Sequence, residues 1–290
     1  MKIHSQIALC LAVPLMIGTA TQARAGIFSN GTMDMIVVAE TSNAQQASSG
    51  TPLSYLAFDG GYIEAGDSIA GESPPSPAQV TQALSEALVQ SGFRQAPVSP
   101  AAVITYNWGV IRRDREEARM PYTIKPNLEA RIELVGTQEM AGEVENHLLL
   151  RKKGELISDA AAPRILVGPE ETVLEMARQP RYFVIVSAYE YQGLLRHESH
   201  LLWRVKLSAQ DKEGSMDQVI PSLLAGGAPY FGKNLTDVRT ITVPLRAAPQ
   251  VSGATQASAE SGLLDGQVIQ ALLKGEHEKY SGTPQDNSRS

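Results

Sequence analysis

The chain has 290 residues, 43% hydrophobic and 19% charged, with 25 Lys plus Arg against 31 Asp plus Glu, 24 Gly, 17 Pro and one Cys. Apolar residues are too abundant for wholesale disorder, and the length suits one large domain or two small ones. No apolar run reaches the roughly 20 residues that carry a helix across a bilayer, which excludes a multi-pass membrane protein.

The first 25 residues differ from the rest. Lys2 supplies positive charge, Ile7 to Ile17 is apolar, and Ala23-Arg24-Ala25 places small residues before Gly26. This is the order of parts in a secretory signal peptide, with an apolar core too short to span a bilayer. Cleavage is expected after Ala25. Cys10 lies inside the apolar stretch rather than after it, so lipid attachment is not expected.

Removing Lys2 and Arg24 and no acid leaves 23 basic against 31 acidic residues, a formal charge of −8. Nucleic acid and anionic lipid both require a basic footprint, so neither is an expected partner. Cleavage also removes the sole thiol, leaving no disulfide, thiolate nucleophile or cysteine ligand. An exported chain of this kind depends on an ordinary packed core, which suits a bacterial periplasm.

Residues 26–51 read as an N-terminal strand, Met33 to Ala39, and a polar linker from Thr41 to Gly50. Residues 52–246 form the expected α/β body. Leu53 to Phe58 alternates as a strand and meets Asp59-Gly60-Gly61, a turn signal. Ser76 and Gln79 have capping-box spacing around Pro77, ahead of a helix with Val80, Ala83, Leu84, Ala87 and Leu88 on one face and Gly92 at its stop.

Ala102 to Trp108 reads as a strand, with Ile104, Tyr106 and Trp108 on one face. The mixed-sign run from Arg112 to Arg119 reads as a solvated loop opening a helical insertion near 110–180. Within it, Ile132, Leu134 and Val135 suit a short strand as well as a helix. Helix is expected from Gln138, and again over Pro169 to Arg178.

Tyr182 to Tyr189 is nearly unbroken in apolar and β-branched residues, the pattern of a central strand buried on both faces. Leu201 to Leu207 alternates, predicting one face on the core and one in water. Ser215 and Gln218 precede a helix that Pro221 should shorten or kink and Gly226-Gly227 should close. Thr240 to Val243 is a last short strand. Residues 247–290 read as a mostly disordered, flexible tail holding a short helix over 262–274.

The order of elements argues for an α/β two-layer sandwich, a mixed sheet covered by helices, with the helical insertion and flexible C-terminal tail appended. Phe58-Asp59-Gly60-Gly61, Thr105-Tyr106-Asn107-Trp108-Gly109 and Leu202-Trp203-Arg204 give the chain a pattern that resembles uncharacterised small periplasmic and lipoprotein domains of Gram-negative bacteria. In them an aromatic-rich strand follows the first helix and a Leu-Trp-Arg strand comes late. The resemblance covers roughly residues 52–246 and implies an envelope location with no assigned activity. The missing lipid-attachment Cys and the long insertion between Gly109 and Arg181 depart from that pattern, so membrane tethering does not carry over.

Candidate chemistry is sparse. His197-Glu198-Ser199-His200 spaces its imidazoles by three, unlike the spacing of four in H-E-x-x-H, and reads first as a polar connector. Asp59, Glu64 and Asp67 do not follow EF-hand spacing and read as solvated acids, although Asp59 at a strand end is the first choice for a functional acid. Gly226 to Gly232 lacks the Lys-Ser/Thr of a phosphate loop and reads as a turn presenting Tyr230 and Phe231.

Two expectations follow. The first is an exported, non-catalytic binding or interaction module, meeting an envelope protein or small ligand through Asp59 and a surface around Trp108, Tyr230 and Phe231, with no cofactor. The second is a periplasmic metal-dependent hydrolase that gathers Asp59, His197 and His200.

Overall fold

The computed structural model describes residues 31–42, 53–69, 72–96, 98–113, 126–144, 168–249 and 266–281. Seven strands form one mixed sheet: β1 (Thr32–Thr41), β2 (Ser54–Ala65), β3 (Arg94–Gln95), β4 (Ala102–Ile111), β5 (Arg181–Glu190), β6 (Leu201–Gln210) and β7 (Arg239–Pro244). Their order is β3-β2-β4-β5-β6-β1-β7. β2 runs parallel to β3 and β4, joined by the crossover helix α1 (Pro77–Gln90), and every other neighbouring pair is antiparallel.

Alternation along the strands divides the sheet into two apolar faces. Met33, Met35 and Val37 of β1, Tyr106 and Trp108 of β4, Val184 of β5 and Val205 of β6 share one cluster. That first face is covered by α1 and α5 (Met216–Gly227), which completes the expected two-layer sandwich. The opposite residues, Ile36, Val38, Ile111, Phe183 and Ile185, form a second cluster beneath the insertion helices α2 (Pro126–Val135) and α3 (Pro169–Ala177) and a helical stretch over 138–144. The insertion therefore adds a second helical layer on the far side of the sheet.

Local chemistry explains the helix ends. Ser76 Oγ accepts from the Gln79 amide at 3.3 Å while Gln79 Oε1 accepts from the Ser76 amide at 2.8 Å, the expected reciprocal cap, with Pro77 first in the helix. Three guanidiniums meet the C-terminal carbonyls of α3: Arg181 donates to Met176, Arg131 to Ala177 and Arg113 to Arg178. Cations belong there, where the last carbonyls of a helix lack intrahelical partners.

Several expectations change. β2 does not stop at Phe58. It passes through a bulge between Asp59 and Tyr62 and continues to Ala65, because Gly61 takes φ +89 and Gly60 lies against Asn107, where a β-carbon would collide with the side-chain amide. Likewise β4 runs on to Ile111, so Arg112, expected in a solvated loop, is 3% exposed.

The second face of β6 does not meet water: Lys206 is buried there, donating to the Glu133 and Gly136 carbonyls at 2.7 and 3.0 Å and to Glu40 at 3.2 Å. The insertion supplies the acceptors that make this burial tolerable. Pro221 sits within an intact α5. Ser215 Oγ meets the Gln218 side chain at 3.0 Å instead of capping the backbone.

The body also extends beyond residues 52–246. β1 lies between β6 and β7 instead of standing apart from the sheet. The tail contributes α6 (Gly266–Tyr280), longer than expected, which buries Ile269 and Tyr280. The leader, most of the linker and the remaining tail lie outside the described residues.

Candidate functional site

Two of the anticipated binding residues, Asp59 and Trp108, come together at the β2 bulge on the first face of the sheet. Asp59 pairs in register with Tyr106, and Tyr62, after the bulge, with Trp108. Asp59 is exposed, and its Oδ1 accepts from the Gly61 amide at 2.8 Å. Partial desolvation pushes its carboxyl pKa up, while the Gly61 amide and the Trp108 indole draw it back. The indole acts from nearby without a bond: its Nε1 is buried and has no acceptor at hydrogen-bonding geometry.

Tyr62 packs on Trp108 with ring centroids 5.1 Å apart, and the Tyr106 hydroxyl shares a 2.7 Å hydrogen bond with Thr81 of α1. Burial, with Glu64 and Glu72 nearby, pushes Tyr62 up to about 12, and burial beside Asp59 raises Tyr106 as well. These phenols are held as protonated hydrogen-bonding groups, not as bases.

Next to them lies a charged cluster around Arg112, just past the carboxyl end of β4. Its guanidinium pairs with Glu72 and lies 3.8 Å from Glu64 and 3.6 Å from Asp211. The Tyr182 hydroxyl donates to the other Glu72 oxygen. Burial alone would lower the Arg112 pKa, but the Glu72 bond and charge, with Tyr182 and Asp211, leave it raised. Desolvation raises Tyr182 and Asp211. One cation facing three carboxylates leaves a local excess of negative charge, with Glu64 the most exposed of the three.

This cluster was not anticipated. The sequence pattern alone makes Glu64 a solvated acid, Arg112 part of a loop and Tyr182 only a strand residue. The available signal was periodicity: extending Tyr106, Trp108, Val110 by one step of two places Arg112 on the same face.

The anticipated aromatics turn inward. Trp108 is 1% exposed, and Phe231 is buried and stacks on Trp203 with centroids 5.7 Å apart, so neither presents a surface. Tyr230 is half-buried against the same core. The glycines before them serve packing, as a β-carbon on Gly226 would fall 2.7 Å from Met35 Sδ and one on Gly227 would collide with Leu207. The expected aromatic surface does not form because the sheet's first face draws these rings inward.

His197 and His200 lie in the exposed connector between α4 (Tyr191–Leu195) and β6, where His200 Nδ1 is 3.1 Å from Glu190 and Arg196 pairs with Glu198 at 3.1 Å. Glu190 pairs with Ala102, four positions along β4 from the partner of Asp59, about 13 Å at ~3.3 Å per residue. Asp59 and the two histidines are not brought together, and no cluster of three or more His, Cys, Asp or Glu able to hold a metal occurs among the described residues. Nor does any helix among them have the length and apolarity to cross a membrane.

No family model matches the chain, and no curated protein matches it. Among solved structures it is similar to a dodecameric PelC variant from Paraburkholderia phytofirmans, at 10% identity and TM-score 0.29, covering 69% of this chain and 99% of that one. It is also similar to a PDZ domain protein from Parabacteroides distasonis, at 6% identity and TM-score 0.35, covering 74% of this chain and 40% of that one.

Proposed function

We propose that this chain is an exported binding or interaction module of the bacterial envelope, non-catalytic, which meets an envelope protein or small ligand through the acidic face around Asp59 and Glu64. The observation that carries this reading is the rigid mounting of an exposed carboxylate. Asp59 stands on a bulge, its orientation set by the Gly61 amide and its surroundings by Trp108 and Tyr62. Neighbouring phenols are held protonated and Arg112 is neutralised by carboxylates, an arrangement suited to recognition of fixed geometry. The leader-like first 25 residues and the thiol-free acidic remainder support export.

The test is a full-length chain carrying a photo-reactive residue at position 64, expressed in a Gram-negative host and released by osmotic shock. A species beginning at Gly26 by intact mass, with one discrete cross-linked adduct that Asp59→Asn diminishes, is the expected result. A cytosolic chain retaining Met1, or a periplasmic one giving no adduct, overturns the reading.

A further inference from the structure

We propose that α6 is a cover that lifts from the second face as a unit while the sheet beneath it stays folded, baring a strip of hydrogen-bonding side chains along β4. Alternation places Val103, Thr105 and Asn107 of β4 on that face, and Thr105 and Asn107 are buried. The polar row continues across the sheet, since Thr105 pairs in register with Ser187 of β5 and Ser187 with Arg204 of β6. Arg204 donates to Ser187 Oγ at 2.9 Å.

The helix lies along this strip. Near its start Ile269 packs with Val103, and at its end Tyr280 meets Phe183, the register partner of Gly109. Strand from Val103 to Gly109 covers about 20 Å at ~3.3 Å per residue. Helix from Ile269 to Tyr280 rises about 17 Å at ~1.5 Å per residue. The two lengths match, and α6 packs on β2 and β4, so it passes over Thr105 and Asn107 between its two anchors.

Those anchors are the firm contacts. Ile269 and Tyr280 are buried, Leu272 and Leu273 only half-buried, and Lys274, Gly275 and His277 exposed. Between the anchors the face beneath is polar. Asn107 Nδ2 is buried without a hydrogen-bond partner, pressed over Gly60, where a β-carbon would fall 2.4 Å from it. A buried donor left unmet opposes closure and is relieved when water reaches it. Meanwhile β2, β4 and β5 bond to one another directly, and the first-face cluster contains none of the described α6 residues. The stretch 245–265 between β7 and α6 reaches ~70 Å when extended, so α6 can leave without pulling on the sheet. Few apolar anchors over an unmet donor put α6 at the low-stability end of the structure, from which lids are drawn.

Thiol protection tests this in the chain from Gly26 onward, which holds no cysteine. Thr105→Cys places a thiol in the strip, and Val205→Cys places one on the first face. The Thr105→Cys chain should react with a small disulfide reagent roughly 100-fold faster than the Val205→Cys chain, at a rate nearly flat in urea below the unfolding transition. Reaction at position 205 should instead follow global unfolding. Adding Ile269→Ala should speed reaction at position 105 about tenfold or more. In the unsubstituted chain, which needs no variant to fold, α6 amides should exchange together and well ahead of those in β4 and β5. Equal rates and urea slopes at positions 105 and 205, exchange of α6 only in step with β4 and β5, or no response to Ile269→Ala overturns the proposal.

Discussion

Tyr55, Tyr62, Tyr106 and Tyr182 share one physical circumstance: each lies on the first face of the sheet, and desolvation raises its pKa. Tyr182 is held further by donating to Glu72, and the Ser85 contact at Tyr55 only partly opposes the shift. The folded state thus keeps protons that the unfolded chain releases near pH 10, and Tyr62 keeps its own until about 12. The stability these groups contribute is fully present below pH 10 and is lost as pH rises through their folded pKa values. Of the nine tyrosines, four should therefore resist ionisation, so absorbance at 295 nm should rise less by pH 11 in native protein than in denaturant. A native titration superimposing on the denatured one would remove these phenols from the core. Arg181 has the opposite sign. Burial pushes it down to about 10, and Ser208 and the Met176 carbonyl rather than a carboxylate ion pair receive its N–H groups.

Helix α5 shows how an element is fixed by what it touches. Gly226 and Gly227 let it approach Met35, Val243 and Leu207 more closely than any larger residue allows. Gly227→Ala should cost about 1–3 kcal/mol, as overpacking does, because Leu207 is fully buried and has little room to give. Ser76→Ala at the exposed end of α1 should cost about 1 kcal/mol, the value of a cap. Urea unfolding at constant m-value checks both, and the order of the two losses decides whether α5 or α1 is the tighter element. The contrast also explains what could be read in advance. The α1 cap is written within four residues, so its sequence signature sufficed. The partners of Gly226 and Gly227 sit on distant strands, and a local reading saw only a turn. The bulge at Gly60-Gly61 has the same composition as a hairpin turn, so composition alone does not reveal that β2 continues to Glu64 and Ala65. Trp108 was recognisable as part of a site, but its burial depended on α1 packing across the sheet. Arg112 is not legible in sequence because charge there suggests solvent until the facing acids, Glu72 and Asp211, are known.

At the scale of the whole molecule, the sheet is covered twice, and the second cover is completed from the end of the chain. Ile269 of α6 packs with Val103, Tyr189, Tyr191 and Leu194, while Tyr280 reaches Phe183 with ring centroids 6.0 Å apart. Lys279 pairs with Glu133 of α2, tying the last turn to the insertion, although desolvation lowers the Lys279 pKa and marks that tie as partly costly. Most of the binding energy of α6 therefore comes from apolar burial at its two ends. Burying two such side chains is worth about 3–6 kcal/mol as an upper estimate, a large share of the stability of an ordinary domain. A chain ending at residue 265 should lose up to that much unfolding free energy, read as a lower urea midpoint, and bind a hydrophobic dye while still folded, because Val103 and Leu194 lose their cover. Ile269→Asp should reproduce most of the loss by placing a charge among the same residues, whereas Lys279→Met, which removes a costly ammonium as well as its ion pair, should change stability little. If instead Lys279→Met is the most damaging of the three, α6 is held by its charge, and the apolar seam joining the second and third clusters is incidental to keeping the sheet covered.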